Sequence, residues 1–312
     1  MKAIVGSAEE LATLAGVEPG LQCRYVSIGG VTLKVAEERS ERLASCPELD
    51  PFLTSGEGCD IAIRVEWVSG LSPMQGCALF DSGTTWRLYR SEDGFQFDFG
   101  ARSLGDPQKR LIVDEDFRRA TLQMSARFYD QFDAVDPLAY PLDELLIVHR
   151  LTQEKAIELH GCGIVRADGI GNLFVGHSGA GKSTTTRLWT AVEDVAVLSD
   201  DRIIVRRDEV GHWGMRMFGT PWHGEARYAS AASAPLARIF VLEHGLGNRL
   251  TRLMPGQAVG ELFARAFVPF HRHEYLGSAL DFLQEVADTI PVYRYSFEPN
   301  ESAVRQIQRL RD

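Results

Sequence analysis

The chain has no run of about 18 apolar residues, so no stretch of it reads as a membrane-spanning helix. Its first residues, Met1 to Leu11, lack a long apolar core and meet Glu9 and Glu10 early, which does not fit a secretory signal peptide. Cysteine is sparse. Cys23, Cys46, Cys59, Cys77 and Cys162 are odd in number and scattered, with no C-x-x-C pair. They read as reduced thiols of a cytoplasmic protein, and their spacing does not suit zinc. Positive charge is also short, with a formal net charge of -10. That balance argues against a general nucleic-acid or membrane-surface binder, but not against an anionic nucleotide, whose site is local. The lysines are only Lys2, Lys34, Lys109, Lys155 and Lys182; arginine supplies the remaining positive side chains. No internal repeat or low-complexity run is visible.

At 312 residues the chain suits one large domain or two modest ones, with ample core, and its 45% hydrophobic content is ordinary for a globular protein. After a loosely held lead-in over 1–20, strand candidates follow at 24–28, 31–36, 60–67, 85–90 and 95–99. Gly29-Gly30, Ser55-Gly56 and residues 91–94 separate them. The pattern predicts an antiparallel, β-rich unit that carries no chemical motif, with a hairpin over 24–36. The spacing of Ala120, Leu122, Met124 and Phe128 predicts a helix over 118–132. Asp136-Pro137 and Tyr140-Pro141 then punctuate the chain. The boundary falls near 135, giving a β-rich domain over 1–135 and a second domain over 136–312.

The second half is richer. A helix is expected over 142–151 and a strand over 157–167. Asp168-Gly169 turns the chain back through Asn172-Leu173-Phe174-Val175, so these strands should pair antiparallel. The return strand runs into Gly176-His177-Ser178-Gly179-Ala180-Gly181-Lys182-Ser183, which fits G-x-x-x-x-G-K-[ST]. Glycines there let several backbone N–H groups converge on one phosphate. Lys182 can reach the β- and γ-phosphates and Ser183 can offer its hydroxyl to Mg²⁺. Thr184 follows in the expected helix, whose positive end adds to the site. Further on, strands are expected over 195–198, 239–242 and 292–297, a hairpin from 203–206 and 213–218, and helices over 257–267, 279–287 and 302–310.

Asp200 and Asp201 close the strand at 195–198, only 18 positions past Lys182. A carboxylate at such a strand end can hold Mg²⁺, and another can accept the proton of an attacking hydroxyl. Two adjacent aspartates point to opposite sides if both are extended, so a turn must aim both inward. The plainer alternative is a solvated strand end. His160 precedes Gly161 one strand earlier, where it can stabilise phosphoryl charge or orient a carboxylate, or simply be structural. His271-Arg272-His273-Glu274 reads as a solvated link rather than a metal cluster.

Read together, Glu158-Leu159-His160-Gly161, GHSGAGKS and VAVLSDD resemble the HPr kinase/phosphorylase family, in order and spacing, over residues 157–205. ATP-type phosphoenolpyruvate carboxykinases share that core. The resemblance implies an α/β fold with a mixed, α+β-like sheet, a P-loop domain of the HPr kinase/phosphoenolpyruvate carboxykinase type behind the β-rich unit. It implies Mg²⁺- and ATP-dependent phosphorylation of a hydroxyl acceptor, which would be a serine of a protein or peptide or a small metabolite. Carried over, residues 176–184 hold nucleotide, Lys182 holds phosphate and Ser183 the metal. Asp200 and Asp201 divide the roles of base and metal ligand, with Asp200 preferred as base and sharing the Mg²⁺ contact, and His160 assists.

The family's later E-V-R-G-L-G-like segment has no clear counterpart, and GTPWHGEAR stands in its place. This loop is the candidate acceptor side. Trp222 can give a flat apolar wall, and His223, Glu225 and Arg227 add polar handles. An ordinary turn around a packed Trp remains the alternative. The competing functions are a carboxykinase-like enzyme and a nucleotide-binding regulatory ATPase. Homo-oligomerisation stays open.

Overall fold

The computed structural model describes residues 21–37, 44, 46–56, 58–100, 105–209 and 214–310. The lead-in expected over 1–20 and the strand start expected at 213 lie outside the described residues. The chain is mixed α/β with strands in the majority, and it divides into two units. The first runs to Pro137, except that Ser27–Val31 and Cys46–Phe52 belong with Leu138–Asp312 in the second.

The first unit is built on one sheet. Its strands are β1 (Gln22–Ile28), β2 (Val31–Glu37), β3 (Leu53–Thr54), β4 (Ile61–Val68), β5 (Phe80–Asp81), β6 (Trp86–Arg90), β7 (Gly94–Phe99), β8 (Lys109–Asp114) and β9 (Arg119–Ser125). They lie in the order β3-β1-β2-β4-β9-β8-β7-β6-β5. Gly29 and Gly30 join β1 to β2 with φ of 57° and 80°, a left-handed turn that glycine accepts without strain. The antiparallel unit expected from the sequence is in fact mixed, because β2–β4 and β4–β9 pair in parallel. Residues 38–60 separate β2 from β4, and residues 69–118, which include β5 to β8, separate β4 from β9; only such long excursions can return a strand in the same direction. The helix expected over 118–132 is also corrected. Arg119–Ser125 is a strand, and only Ala126–Tyr129 is helical. Ala120, Leu122 and Met124 are buried while Thr121 and Gln123 between them are half-exposed, a period of two. Adding Phe128 to that series made it look helical.

The second unit contains β10 (Ala156–Val165), β11 (Gly171–Val175), β12 (Ala196–Ser199), β13 (Arg202–Arg207), β14 (Met215–Phe218), β15 (Ser233–Glu243), β16 (Arg249–Arg252), β17 (Ala266–Phe267) and β18 (Val292–Ser296). Helices occupy Leu142–Leu151, Lys182–Val192, Pro255–Phe263, His273–Thr289 and Glu301–Gln308. The helix expected over 257–267 stops at Phe263, because Ala266 and Phe267 pair with Leu159 and Glu158 instead. Long β10 serves two neighbourhoods. Its first half pairs with β13 and β17, its second with β11 and β12. β11 runs antiparallel to β10, as the Asp168-Gly169 turn predicts, and parallel to β15. Since β15 pairs with β14 and β14 with β13, the ring β10-β11-β15-β14-β13 closes into a small barrel.

β11 is buried on both faces, which is why it reads as a continuous apolar run. Leu173 and Val175 face a core shared with Ile239, Val241 and the helices Pro255–Phe263 and His273–Thr289. Phe174 faces the other side, against Phe240 and Trp189, with ring centroids 5.0 and 6.0 Å away. Trp189 belongs to the helix Lys182–Val192, so this contact sets that helix against the strand before it. Trp189→Ala should therefore cost about 3–5 kcal/mol, read as a lower urea midpoint.

Candidate active site

Residues 176–181 link β11 to the helix Lys182–Val192. Gly179 and Gly181 take φ of 81° and 102°. A Cβ on Gly181 would also lie 2.8 Å from the Phe297 ring, so glycine is required there twice over. His177, Ser178 and Gly179 are exposed, Ala180 is half-exposed, and Ser183 and Thr184 sit half-buried in the helix's first turn. The Lys182 ammonium folds back onto the loop, its Nζ donating to the carbonyls of Gly176 (3.0 Å) and His177 (3.2 Å). Burial pushes the Lys182 pKa below its ordinary value, against the opposing charge of Asp201. His244 Nε2 donates to the Gly179 carbonyl at 2.9 Å.

Two backbone hydrogen bonds align the loop with the acid pair. Gly176 N–H donates to the His160 carbonyl (3.1 Å), and Gly161 N–H donates to the Asp201 carbonyl (3.0 Å). The loop entry, His160 and Asp201 thus lie side by side across the sheet. A Cβ at Gly161 would come within 2.9 Å of the Phe174 carbonyl, so strand packing calls for glycine at 161. His160 Nε2 lies 2.9 Å from Asp201 Oδ1. A carboxylate only accepts, so the imidazole proton sits on Nε2. Arg202 Nη1 donates to Oδ2. Burial pushes the Asp201 carboxyl up, but the His160 hydrogen bond and the Arg202 charge outweigh it and hold the group below the ordinary carboxylate range.

Asp200 is differently engaged. It is 1% exposed. Its Oδ1 accepts from the N–H groups of Gly224 (3.0 Å) and Tyr228 (3.2 Å), and its Oδ2 from Ala226 (2.9 Å). The two acids do point apart. Asp201 faces His160 and Asp200 pins the loop 219–228. A Cβ on Gly224 would sit 2.9 Å from Asp200 Oδ2, and Arg227 holds a left-handed φ of 58°. Asp200 is buried behind this loop while Asp201 is only half-buried, and that difference argues against Asp200 as the base.

Trp222 is not an open wall. It is 7% exposed and donates its indole N–H to Asp143 Oδ2 at 2.7 Å. Thr220 Oγ1, donating to the Arg202 carbonyl at 2.8 Å, further fastens this loop. His223 is half-buried, while Glu225 and Arg227 are exposed and available. Glu48, from the segment Cys46–Phe52, comes near them. The Cys46 thiol, 2.8 Å away, holds the Glu48 carboxyl below its ordinary range, and the charges of His223 and Arg227 add to this.

Sequence reasoning missed Arg202, Glu144 and Glu158. Arg202 directly follows the acid pair, and Glu158 shares a strand face with His160, an acid on an otherwise apolar strand. Both signals were visible. Glu144 lies in the helix Leu142–Leu151, and nothing local marks it. Among the described residues, no three His, Cys, Asp or Glu side chains group as metal ligands. No protein-family model matches the chain, and no curated protein matches it.

Proposed function

We propose that the second unit is a P-loop phosphotransferase that binds Mg-ATP and passes the γ-phosphoryl group to a hydroxyl, on a serine of a protein or peptide or on a small metabolite. The supporting observation is the alignment of the loop entry, His160 and Asp201 through the bonds Gly176 N–His160 O and Gly161 N–Asp201 O, 3.1 and 3.0 Å long. A triphosphate lying on the 176–183 amides would present its last phosphorus beside an ionised carboxylate.

In this reading Lys182 leaves the carbonyls it now touches and takes phosphate oxygens. Asp201 orients the acceptor hydroxyl and takes its proton as the oxygen bonds to the γ-phosphorus; the bond to the β-bridging oxygen breaks, and ADP leaves. His160 holds Asp201 in place through Nε2–H. The donor set suits Mg²⁺, since Ser183 and Asp201 offer hard oxygens and this ion is typically held by one or two protein groups plus phosphates. Bound there, it would neutralise charge on the phosphates. Asp200 keeps the acceptor loop in shape.

Calorimetry with AMP-PNP and Mg²⁺ tests the nucleotide part. Lys182→Ala should bind at least about tenfold more weakly, the loss of a charge-assisted contact; equal affinity would remove the P-loop reading. Labelled ATP added to a size-fractionated cell extract then identifies the acceptor, by the fraction to which label passes.

A further inference from the structure

Arg202 stands at the meeting point of four elements. Its Nη1 donates to Asp201 Oδ2 and its Nε donates to Glu144 Oε1 at 2.9 Å. Glu158 Oε1 lies 3.3 Å from the same Nε, and the guanidinium stacks over the Phe267 ring at 4.1 Å. Phe267 in turn meets His160 edge-on, with centroids 6.2 Å apart. The Arg202 side chain is 15% exposed and that of Glu158 is 0% exposed.

We propose that Arg202 is a positioning residue, a brace that fixes the Asp201 carboxylate in the orientation needed for phosphoryl transfer, with Glu144, Glu158 and Phe267 as its footing. This rests on the kinase reading above. Asp201 has two oxygens and each is held by a different side chain, His160 on Oδ1 and Arg202 on Oδ2. With one holder alone the carboxylate could rotate about χ2. A planar fork held on its other edge by Glu144 stops that rotation. Lysine could not replace it, because one ammonium cannot reach Asp201 and Glu144 in the same fixed plane. Burial, and then the charge of Glu144, push the Glu158 carboxyl well above its ordinary range, while Arg202 opposes them. The guanidinium thus has the carboxyl groups of Glu144 and Glu158 beside its Nε and the Phe267 ring against its face.

The test uses the full chain carrying Arg202→Lys or Arg202→Gln, with Mg-ATP turnover and AMP-PNP binding as readouts. It adds the ¹⁵N-imidazole spectrum, in which the His160 Nε2–H signal is assigned by its absence from His160→Gln. Arg202→Lys keeps the positive charge, so it serves if the glutamine variant does not fold. We expect turnover to fall about 10- to 100-fold in both, the usual effect of misplacing a reacting group by an ångström. AMP-PNP affinity should stay within about twofold. The His160 Nε2–H signal should broaden or vanish, and guanidinium at millimolar concentration should restore part of the turnover to Arg202→Ala. Wild-type turnover in both variants, an unchanged His160 signal, or a loss carried wholly by nucleotide affinity would overturn the proposal. If wild-type protein neither binds AMP-PNP nor turns over ATP, the kinase reading falls, and the His160 signal alone decides whether Arg202 holds Asp201.

Discussion

Asp201→Asn should lower phosphoryl transfer about a thousandfold, the middle of the range for removing a general base, or about 4 kcal/mol of barrier. AMP-PNP should bind within a few-fold of wild type at saturating Mg²⁺, and urea stability should fall by about 1–3 kcal/mol. The asparagine fits the same space and its carbonyl can still accept from His160 Nε2, but its amino group then meets the Arg202 Nη1 donor. What disappears is the charge that draws Arg202 and that, in the proposed transfer, takes the proton. The wild-type carboxyl is held low by His160 and Arg202 against burial, so it is ionised throughout the neutral range. The sign of the linkage follows. A depressed folded pKa gives a contribution to stability that is full above the ordinary carboxylate value and is lost as pH falls through the depressed one. Asp201→Asn should flatten that acid-side loss. A variant that transfers phosphate at the wild-type rate would pass the base role back to Asp200.

The loop between β11 and the helix Lys182–Val192 was legible because its residues are contiguous, and its glycines at 179 and 181 take the left-handed φ that such a loop needs. Glycines, lysine and serine must come in one order for the backbone to wrap an anion, and the order is written in eight positions. The antiparallel approach of β10 and β11 was legible too, since Asp168-Gly169 is a local turn. What decides between Asp200 and Asp201 is not local. Neighbouring side chains on an extended chain diverge, and which of them faces the loop depends on amide groups at 224, 226 and 228, far along the sequence. Trp222 misled for a similar reason. A Trp in a polar loop suggests a surface, and only the Asp143 carboxylate, 79 positions earlier, shows that its indole is buried. In the first unit, β9 was hidden because Phe128 extends an alternating run into something that looks like a helical stripe. The parallel pairings of β2, β4 and β9 are set by long connections, whose path the residues do not announce.

Asp200→Asn should behave differently from its neighbour. It should cost about 3 kcal/mol of stability, read as a shifted urea midpoint, and lower activity through the acceptor rather than through nucleotide. The carboxylate accepts three N–H bonds, two on Oδ1 and one on Oδ2. An asparagine has one accepting oxygen and one donating nitrogen. With its oxygen toward Gly224 and Tyr228, its amino group meets the Ala226 N–H; flipped, it meets the other two. Either way a donor faces a donor in a site that is 1% exposed, and the charge that strengthened all three bonds is gone. The loop 219–228 then loosens, carrying His223, Glu225 and Arg227 with it. The apparent KM for the acceptor should rise more than kcat falls, while AMP-PNP affinity holds. Gly224→Ala gives an independent approach to the same contact. Its new Cβ would stand 2.9 Å from Asp200 Oδ2 and push the carboxylate off its amides without touching its charge. If both substitutions weaken the acceptor step and leave the nucleotide step alone, Asp200 is the loop's anchor. If Asp200→Asn stops transfer with stability and acceptor affinity intact, the two aspartates must exchange roles.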